Sequence, residues 1–144
     1  MTDEEVKLTE REMRLVSLFQ SYTGATVLDC LSDDEQVVFL VREGEFGRAV
    51  GKRGVKIQEL SNLLKKRLKV VEYYGDAASF LTNAVKPAKA REVKIVPGKD
   101  GSLTAVIKVD PEDKAMVIGK GGRNVAIVRR MAKRHFKIER VVIE

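Results

Sequence analysis

The chain has 144 residues, 44% hydrophobic and 33% charged, with a net charge of +6. That suffices for one ordinary domain or two small ones. No apolar run approaches the roughly 18 residues of a membrane span. The acidic start Met1-Thr2-Asp3-Glu4-Glu5 is unlike a secretory signal, and we expect a cytoplasmic protein. A single cysteine, Cys30, and a single histidine, His135, leave no internal disulfide, no His/Cys metal cluster and no Ser-His-Asp arrangement to build. Cys30, in the apolar run Val27-Leu28-Asp29-Cys30-Leu31, reads as a small buried hydrophobe. We expect no cofactor, no metal and no enzymatic activity.

The charge is unevenly spread. Residues 1–35 carry three basic and nine acidic side chains (3 − 9 = −6), and residues 36–144 carry 24 basic and 12 acidic (24 − 12 = +12). A basic body suits a polyanion that an acidic head would repel, although a solvated charged surface has the same composition.

In chain order, a first helix starts at Thr9 as N-cap, with Glu12 completing a capping box and Leu8 and Met13 spaced as a hydrophobic staple. Met13, Val16 and Phe19, and Leu15, Leu18 and Tyr22, form apolar faces at helical spacing, and Gly24 is the stop. Two β-rich runs, 25–31 and 36–42, flank the turn Ser32-Asp33-Asp34-Glu35 and read as a hairpin. A short helix to Val50, a glycine loop, and a helix over 55–67 with Ile57, Leu60, Leu63 and Leu64 inward lead into a strand from Lys69 to Tyr74. The same order then repeats. Asp76 caps a helix carrying Phe80, Leu81, Ala84 and Val85 that stops near Pro87. A hairpin over 91–96 and 103–109 turns at Pro97-Gly98-Lys99-Asp100-Gly101. Asp110-Pro111-Glu112-Asp113 starts a helix with cap, N1 proline and acidic first turn. A second glycine loop, a helix and the strand 138–143 follow. Sliding the chain by 68 residues lays Ala49-Val50-Gly51-Lys52-Arg53-Gly54-Val55-Lys56-Ile57 over Val117-Ile118-Gly119-Lys120-Gly121-Gly122-Arg123-Asn124-Val125, with Leu60, Leu63, Leu64 and Leu68 on Val128, Met131, Ala132 and Phe136. We expect two domains, 1–75 and 76–144, with only Gly75 as linker and therefore a fixed mutual angle.

Two helices joined by Gly-x-x-Gly turn tightly and let another backbone come close. The amides heading the second helix carry the positive end of its dipole, which suits a phosphate. Lys52, Arg53 and Lys56 in one copy, and Lys120 and Arg123 in the other, are ion partners for a sugar-phosphate chain. A P-loop needs Gly-x-x-x-x-Gly-Lys-Ser/Thr after a strand, and neither Gly51-Lys52 nor Gly119-Lys120 has the earlier glycine or the following hydroxyl.

Val-Gly-Lys-Arg-Gly-Val-Lys-Ile at 50–57 and Ile-Gly-Lys-Gly-Gly-Arg-Asn-Val at 118–125 resemble the KH-domain signature, and the element order resembles the type II KH fold. The resemblance covers nearly the whole chain. It implies an α+β protein of two tandem domains, each a three-stranded mixed sheet backed by three helices (α-β-β-α-α-β), that clamps about four nucleotides of single-stranded nucleic acid per loop. By position, Gly51, Lys52, Arg53 and Gly54, with Lys56, and Gly119, Lys120, Gly121 and Gly122, with Arg123, become the RNA-binding residues. Val50, Val55, Ile57, Ile118 and Val125 become groove or core positions. Tandem type II KH domains with almost no linker are similar to the RNA-binding end of the NusA transcription factors and to their short archaeal form. That implies single-stranded RNA binding in transcription elongation or termination. The sequence shows neither the S1 domain nor the polymerase-binding domain of the bacterial form. Gly121 departs from the signature by removing a side chain that could hold phosphate, which shifts weight to Lys120 and Arg123. With Phe46, Tyr73 and Tyr74 the only aromatics near the loops or on the adjoining strand, base readout is expected to use shape and backbone edges.

Two other readings use the same residues. A KH scaffold can serve protein interaction, with the acidic face of Asp3, Glu4, Glu5, Glu10 and Glu12 docking RNA polymerase, and KH domains also occur in ribosome-associated proteins, which often carry a long basic tail not seen here.

Overall fold

The computed structural model describes residues 7–144. These divide into two compact units, one ending at Tyr74 and the other running Gly75–Glu144. In the first, α1 (Glu10–Thr23) begins on the expected capping box: the Thr9 hydroxyl accepts the Glu12 N–H and the Glu12 carboxylate accepts the Thr9 N–H, both at 3.1 Å. It ends at Gly24 in the left-handed region (φ 78°), whose N–H donates to the Gln20 carbonyl. Strands β1 (Val27–Ser32) and β2 (Gln36–Val41) form an antiparallel hairpin. Asp33 holds its turn by accepting the Glu35 and Gln36 N–H groups.

Strand β3 (Arg67–Glu72) pairs parallel to β2, so the sheet order is β1-β2-β3. Parallel neighbours need a crossover, and here it consists of α2 (Phe46–Val50), the first glycine loop and α3 (Val55–Leu64). The loop therefore lies in the one connection that must cross the sheet. Every residue of the central strand β2 is buried. The core joins Phe19, Cys30, Val37, Phe39, Val41, Ala49, Leu60 and Val70, with the Phe19 and Phe39 rings stacked 4.0 Å apart at 16°.

The second unit repeats the plan with α4 (Ala77–Ala84), β4 (Ala90–Pro97), β5 (Leu103–Val109), α5 (Pro111–Ile118), α6 (Arg123–Phe136) and β6 (Ile138–Ile143). Strand β5 is central, antiparallel to β4 and parallel to β6. Asp76 caps α4 by accepting the Ser79 N–H at 2.9 Å, and Phe80 packs beside Phe136. Each unit is thus an α+β domain with the order α-β-β-α-α-β and a three-stranded mixed sheet.

Several local expectations change. Helix α3 stops at Leu64, not Arg67, because Lys65 turns left-handed (φ 55°). Strand β3 begins at Arg67 to pair with Gln36 and ends at Glu72, leaving Tyr73 and Tyr74 in the connection to α4. Leu60 is buried and Ile57 and Leu64 pack on the core, whereas Leu63 is 68% exposed, since positions 57, 60 and 64 define the buried stripe and 63 lies off it. Likewise only Leu15, Val16 and Phe19 of α1 face the core; Met13, Leu18 and Tyr22 are exposed, and Leu8 packs on the core while Met13 does not.

Asp110 occupies the N-cap position of α5 without making a side-chain cap. Proline at N1 offers no N–H, the Asp113 N–H goes to the Asp110 carbonyl, and Arg91 grips both carboxylate oxygens at 2.8 Å. Of the acidic face, Asp3, Glu4 and Glu5 lie outside the described residues. Glu12 is buried, accepting from Thr9 and from the Ser32 hydroxyl, and Glu10 is paired with Arg14. A carboxylate used inside the fold is not available to a partner. Among the described residues no helix is long and apolar enough to cross a membrane.

Replacing Phe39 by alanine removes the ring on which Phe19 stacks and should destabilise the first unit by about 3–5 kcal/mol in urea denaturation. At Asp110, the Arg91 hydrogen bond holds the carboxyl below its ordinary value. Its contribution is thus present above the unfolded pKa and is lost as pH falls through the folded one. In Arg91→Ala the carboxyl resonance of Asp110 should titrate at higher pH than in the parent protein.

Candidate nucleic-acid interface

Each glycine loop takes the same path. In the first, Gly51 (φ 78°, ψ 175°) leaves α2, residues Lys52–Gly54 form one tight 3-10 turn, and Arg53 (φ 55°) and Gly54 (φ 75°) are left-handed before α3 begins. In the second, Gly119 (φ 80°, ψ 167°), Gly121 (φ 65°) and Gly122 (φ 79°) repeat those values ahead of α6. The turns close identically: Gly54 N–H donates to the Gly51 carbonyl and Gly122 N–H to that of Gly119, both at 3.0 Å.

The glycines of each loop are not equivalent. Gly51 and Gly119 lie in a region of backbone space that is essentially glycine-only, and neither has room for a Cβ. At Gly51 a Cβ would stand 2.7 Å from Lys56 Cγ and 3.0 Å from the Lys56 amide; at Gly119 it would stand 2.7 Å from Asn124 Cγ and 2.8 Å from the Asn124 amide. Gly54, Gly121 and Gly122 need only a left-handed backbone and have no such crowding. Arg53 accepts the left-handed conformation with a side chain, at a strain of about 1–2 kcal/mol; Gly121 avoids it.

Two features of this packing escape a reading of the loop residues alone. The stem of Lys56 lies over Gly51, and Asn124, its counterpart in the 68-residue alignment, lies over Gly119 and donates from Nδ2 to the Met116 carbonyl at 2.9 Å. Asn124 thereby ties the last turn of α5 to the first of α6. The available signal was its amide side chain, able to bond backbone, at the position matched to Lys56. The short helix α2 is held by Glu45, which accepts the Thr26 N–H at 2.6 Å, and by Arg48, which donates to the Gly24 carbonyl at 3.4 Å.

Apolar residues on either side fix each loop to its domain. Ala49 is fully buried, with Val50 and Ile57 half-buried against the same core; Val117 and Val125 are buried in the second unit, and Ile118 is half-buried. Val125, at 3% exposure, is a core residue, whereas Val55, at 48%, stands on the rim of the first loop. Lys52, Arg53, Lys120 and Gly121 are exposed; Lys56 and Arg123 are half-buried. Phe46, at the start of α2, is exposed, and Tyr74 bonds Glu72. The arrangement offers exposed cations around the N–H groups at the start of each turn, while the Gly54 and Val55 N–H groups, like those of Gly122 and Arg123, are already bonded to the carbonyls of Gly51, Lys52, Gly119 and Lys120. Such a surface binds anions by charge and N–H donation. Among the described residues, no three His, Cys, Asp or Glu side chains gather where a metal ion could be held.

The strict requirement at the first glycine predicts an order of stability. Gly119→Ala should destabilise by about 3 kcal/mol, from a glycine-only backbone plus a clash with backbone. Gly121→Ala should cost about 1 kcal/mol, and Arg53→Gly should be neutral to stabilising by up to about 1 kcal/mol. Urea denaturation of the three variants checks the ranking.

Comparison with known proteins locates these loops within two matched domains. The model described as "KH domain" matches residues 16–74, and the one described as "NusA-like second KH domain" matches residues 77–143. The chain is 37% identical over 134 residues to the probable transcription termination protein NusA of Halococcus morrhuae, a match spanning 93% of this chain and 95% of that one. To the protein of the same name from Methanocaldococcus jannaschii it is 32% identical over 139 residues, spanning 96% and 75%. The crystal structure of APE1850 superposes with a TM-score of 0.75 at 38% identity, covering 95% of this chain and 100% of that one.

Proposed function

Because the chain belongs to the NusA family of tandem KH-domain proteins, in its short archaeal form, we propose that it is a single-stranded RNA-binding protein of transcription termination or elongation. In this reading both glycine loops clamp the RNA backbone. The observation that carries it is the duplicated loop. The two copies share a backbone conformation that is unfavourable for most residues, and both place lysine at the first variable position, exposed to solvent. A fold that needed only a tight turn would not require a cation there.

Lys52, Arg53 and Lys120 supply charge to the phosphates, the amides of the turn supply donors, and Lys56 and Arg123 border the path from the following helix. Val55 is the apolar group placed to meet a base, while Val50, Ile57, Ile118 and above all Val125 support the loop from beneath. Only residues 73–76 join β3 to α4. One strand held by one loop therefore meets the other at a high effective concentration if the geometry lets a single strand span them. The role is binding, not catalysis, in keeping with the names of the relatives.

Changing Lys52 and Arg53 to aspartate, or Lys120 and Gly121 to aspartate, puts negative charge against the backbone in positions where the left-handed residue tolerates a side chain. Each pair should weaken binding of single-stranded RNA by about tenfold or more at fixed salt, with the thermal unfolding midpoint little changed in the first pair and lowered by no more than about 4–8 °C in the second, from the side chain added at left-handed Gly121. Combining both pairs should cost more than either alone. Fluorescence anisotropy titrations check this, and affinity unchanged in all three variants would show the loops to be structural only.

A further inference from the structure

The outer face of α6 carries charge that the loop does not account for. The helix contains Arg123, Arg129, Arg130, Lys133 and Arg134 and no acidic residue, and Lys137 follows at its C-cap. Ala126, Arg130, Lys133 and Lys137 are all exposed. They stand at i, i+4, i+7 and i+11, one stripe along the helix. Arg129 is drawn to the Val141 carbonyl at 3.4 Å, and Lys133 has Glu139 at 3.8 Å.

Of the three cations of the stripe, Arg130 alone has no basic counterpart in the first copy. Under the 68-residue shift Lys133 and Lys137 fall on Lys65 and Lys69, whereas Ala126 and Arg130 fall on Gln58 and Asn62, which bond each other at 3.1 Å. Helix α3 has 10 residues and α6 has 14, so α6 is about 6 Å longer at 1.5 Å per residue, and Lys133 and Arg134 lie in its last turn. Like charges at i, i+4 (Arg129 with Lys133, Arg130 with Arg134) oppose helix formation, and Arg123 in the first turn opposes the dipole. The last-turn cations recover part of that through the dipole. A polyanion lying along the stripe would bring counter-charge to Arg130 and Lys137.

We propose that α6 is a second nucleic-acid contact, a track for the sugar-phosphate backbone that continues from the second glycine loop to Lys137. Lys120 and Arg123 open the track at the loop, and Arg130, Lys133 and Lys137 extend it over about 21 Å of helix. The stripe has no exposed aromatic and no hydrogen-bonding amide to read bases, so it takes RNA by charge and without sequence preference. The proposal that the strand continues from the loop rests on the reading of that loop as an RNA clamp; the track itself is tested independently of it.

The test compares the parent protein with Arg130→Gln/Lys133→Gln/Lys137→Gln on two probes, an oligonucleotide of about four residues that fills one loop and a single-stranded RNA of about 20 nucleotides, each titrated over a range of salt. Loss of three phosphate contacts should flatten the slope of log K against log salt by about 2 for the long RNA, at roughly 0.7 per contact, and lower its affinity at fixed salt by about tenfold or more. Affinity for the short oligonucleotide should be unchanged. A long-RNA slope equal to that of the parent overturns the track, including the case in which the stripe serves an acidic protein surface. An equal loss on both probes also overturns it. If the parent fails to bind the short probe, the loop reading falls, and the long-RNA slope alone decides the track. Should the triple variant not fold, Arg130→Gln alone must flatten the slope by about 0.7 or the proposal is rejected.

Discussion

At Gly51 and Gly119 the space a Cβ would fill is already occupied by the residue five positions later, Lys56 in one copy and Asn124 in the other. This close approach lets a helix end, reverse through a single turn and start again within four residues. It follows from sheet topology: β2 and β3, like β5 and β6, are parallel, so the chain between them must return across the sheet. A helix-turn-helix crossover that short leaves the turn projecting from the domain, with its amides at the head of the next helix and its variable residues in solvent.

The two copies use one backbone and distribute their charge differently. In the first, cations sit in the turn itself as Lys52 and Arg53, and the following helix begins with the apolar Val55 and carries the neutral Gln58–Asn62 pair. In the second, Gly121 relaxes the left-handed position that Arg53 holds with strain, Lys120 keeps its cation in the turn, and Arg123 heads the helix where the first copy has Val55. The charged side chain absent at Gly121 is thus accompanied by cations at Arg123 and Arg130, where the first copy has Val55 and Asn62.

Family membership and the loop geometry support one another without being the same observation. The matches to archaeal relatives extend over 93% and 96% of the chain, so both domains, and not one loop motif, are shared. The geometry adds which positions are structural. The first glycine, the residue packed over it and the buried Ala49 and Val125 hold the loop; of the two exposed variable positions the first is lysine in both copies and the second changes from Arg53 to Gly121.

The sequence by itself determined the duplication, the order of elements and the loop residues, because those rest on local signals: the capping box at Thr9 and Glu12, the turn at Asp33, Asp76 as cap, and glycines at a fixed spacing. It could not decide features set by partners distant in the chain. Helix α3 ends at Leu64 because strand β3 must start at Arg67 to pair with Gln36, and Leu63 is exposed because burial depends on which stripe meets the sheet. Asp110 abandons its cap for Arg91, nineteen residues away. Glu12, half of a local capping box, also accepts from Ser32 and is buried. The unequal roles of the glycines likewise belong to tertiary structure. Their spacing is a local pattern, but the demand for a missing Cβ arises only when the start of one helix is pressed against the end of another.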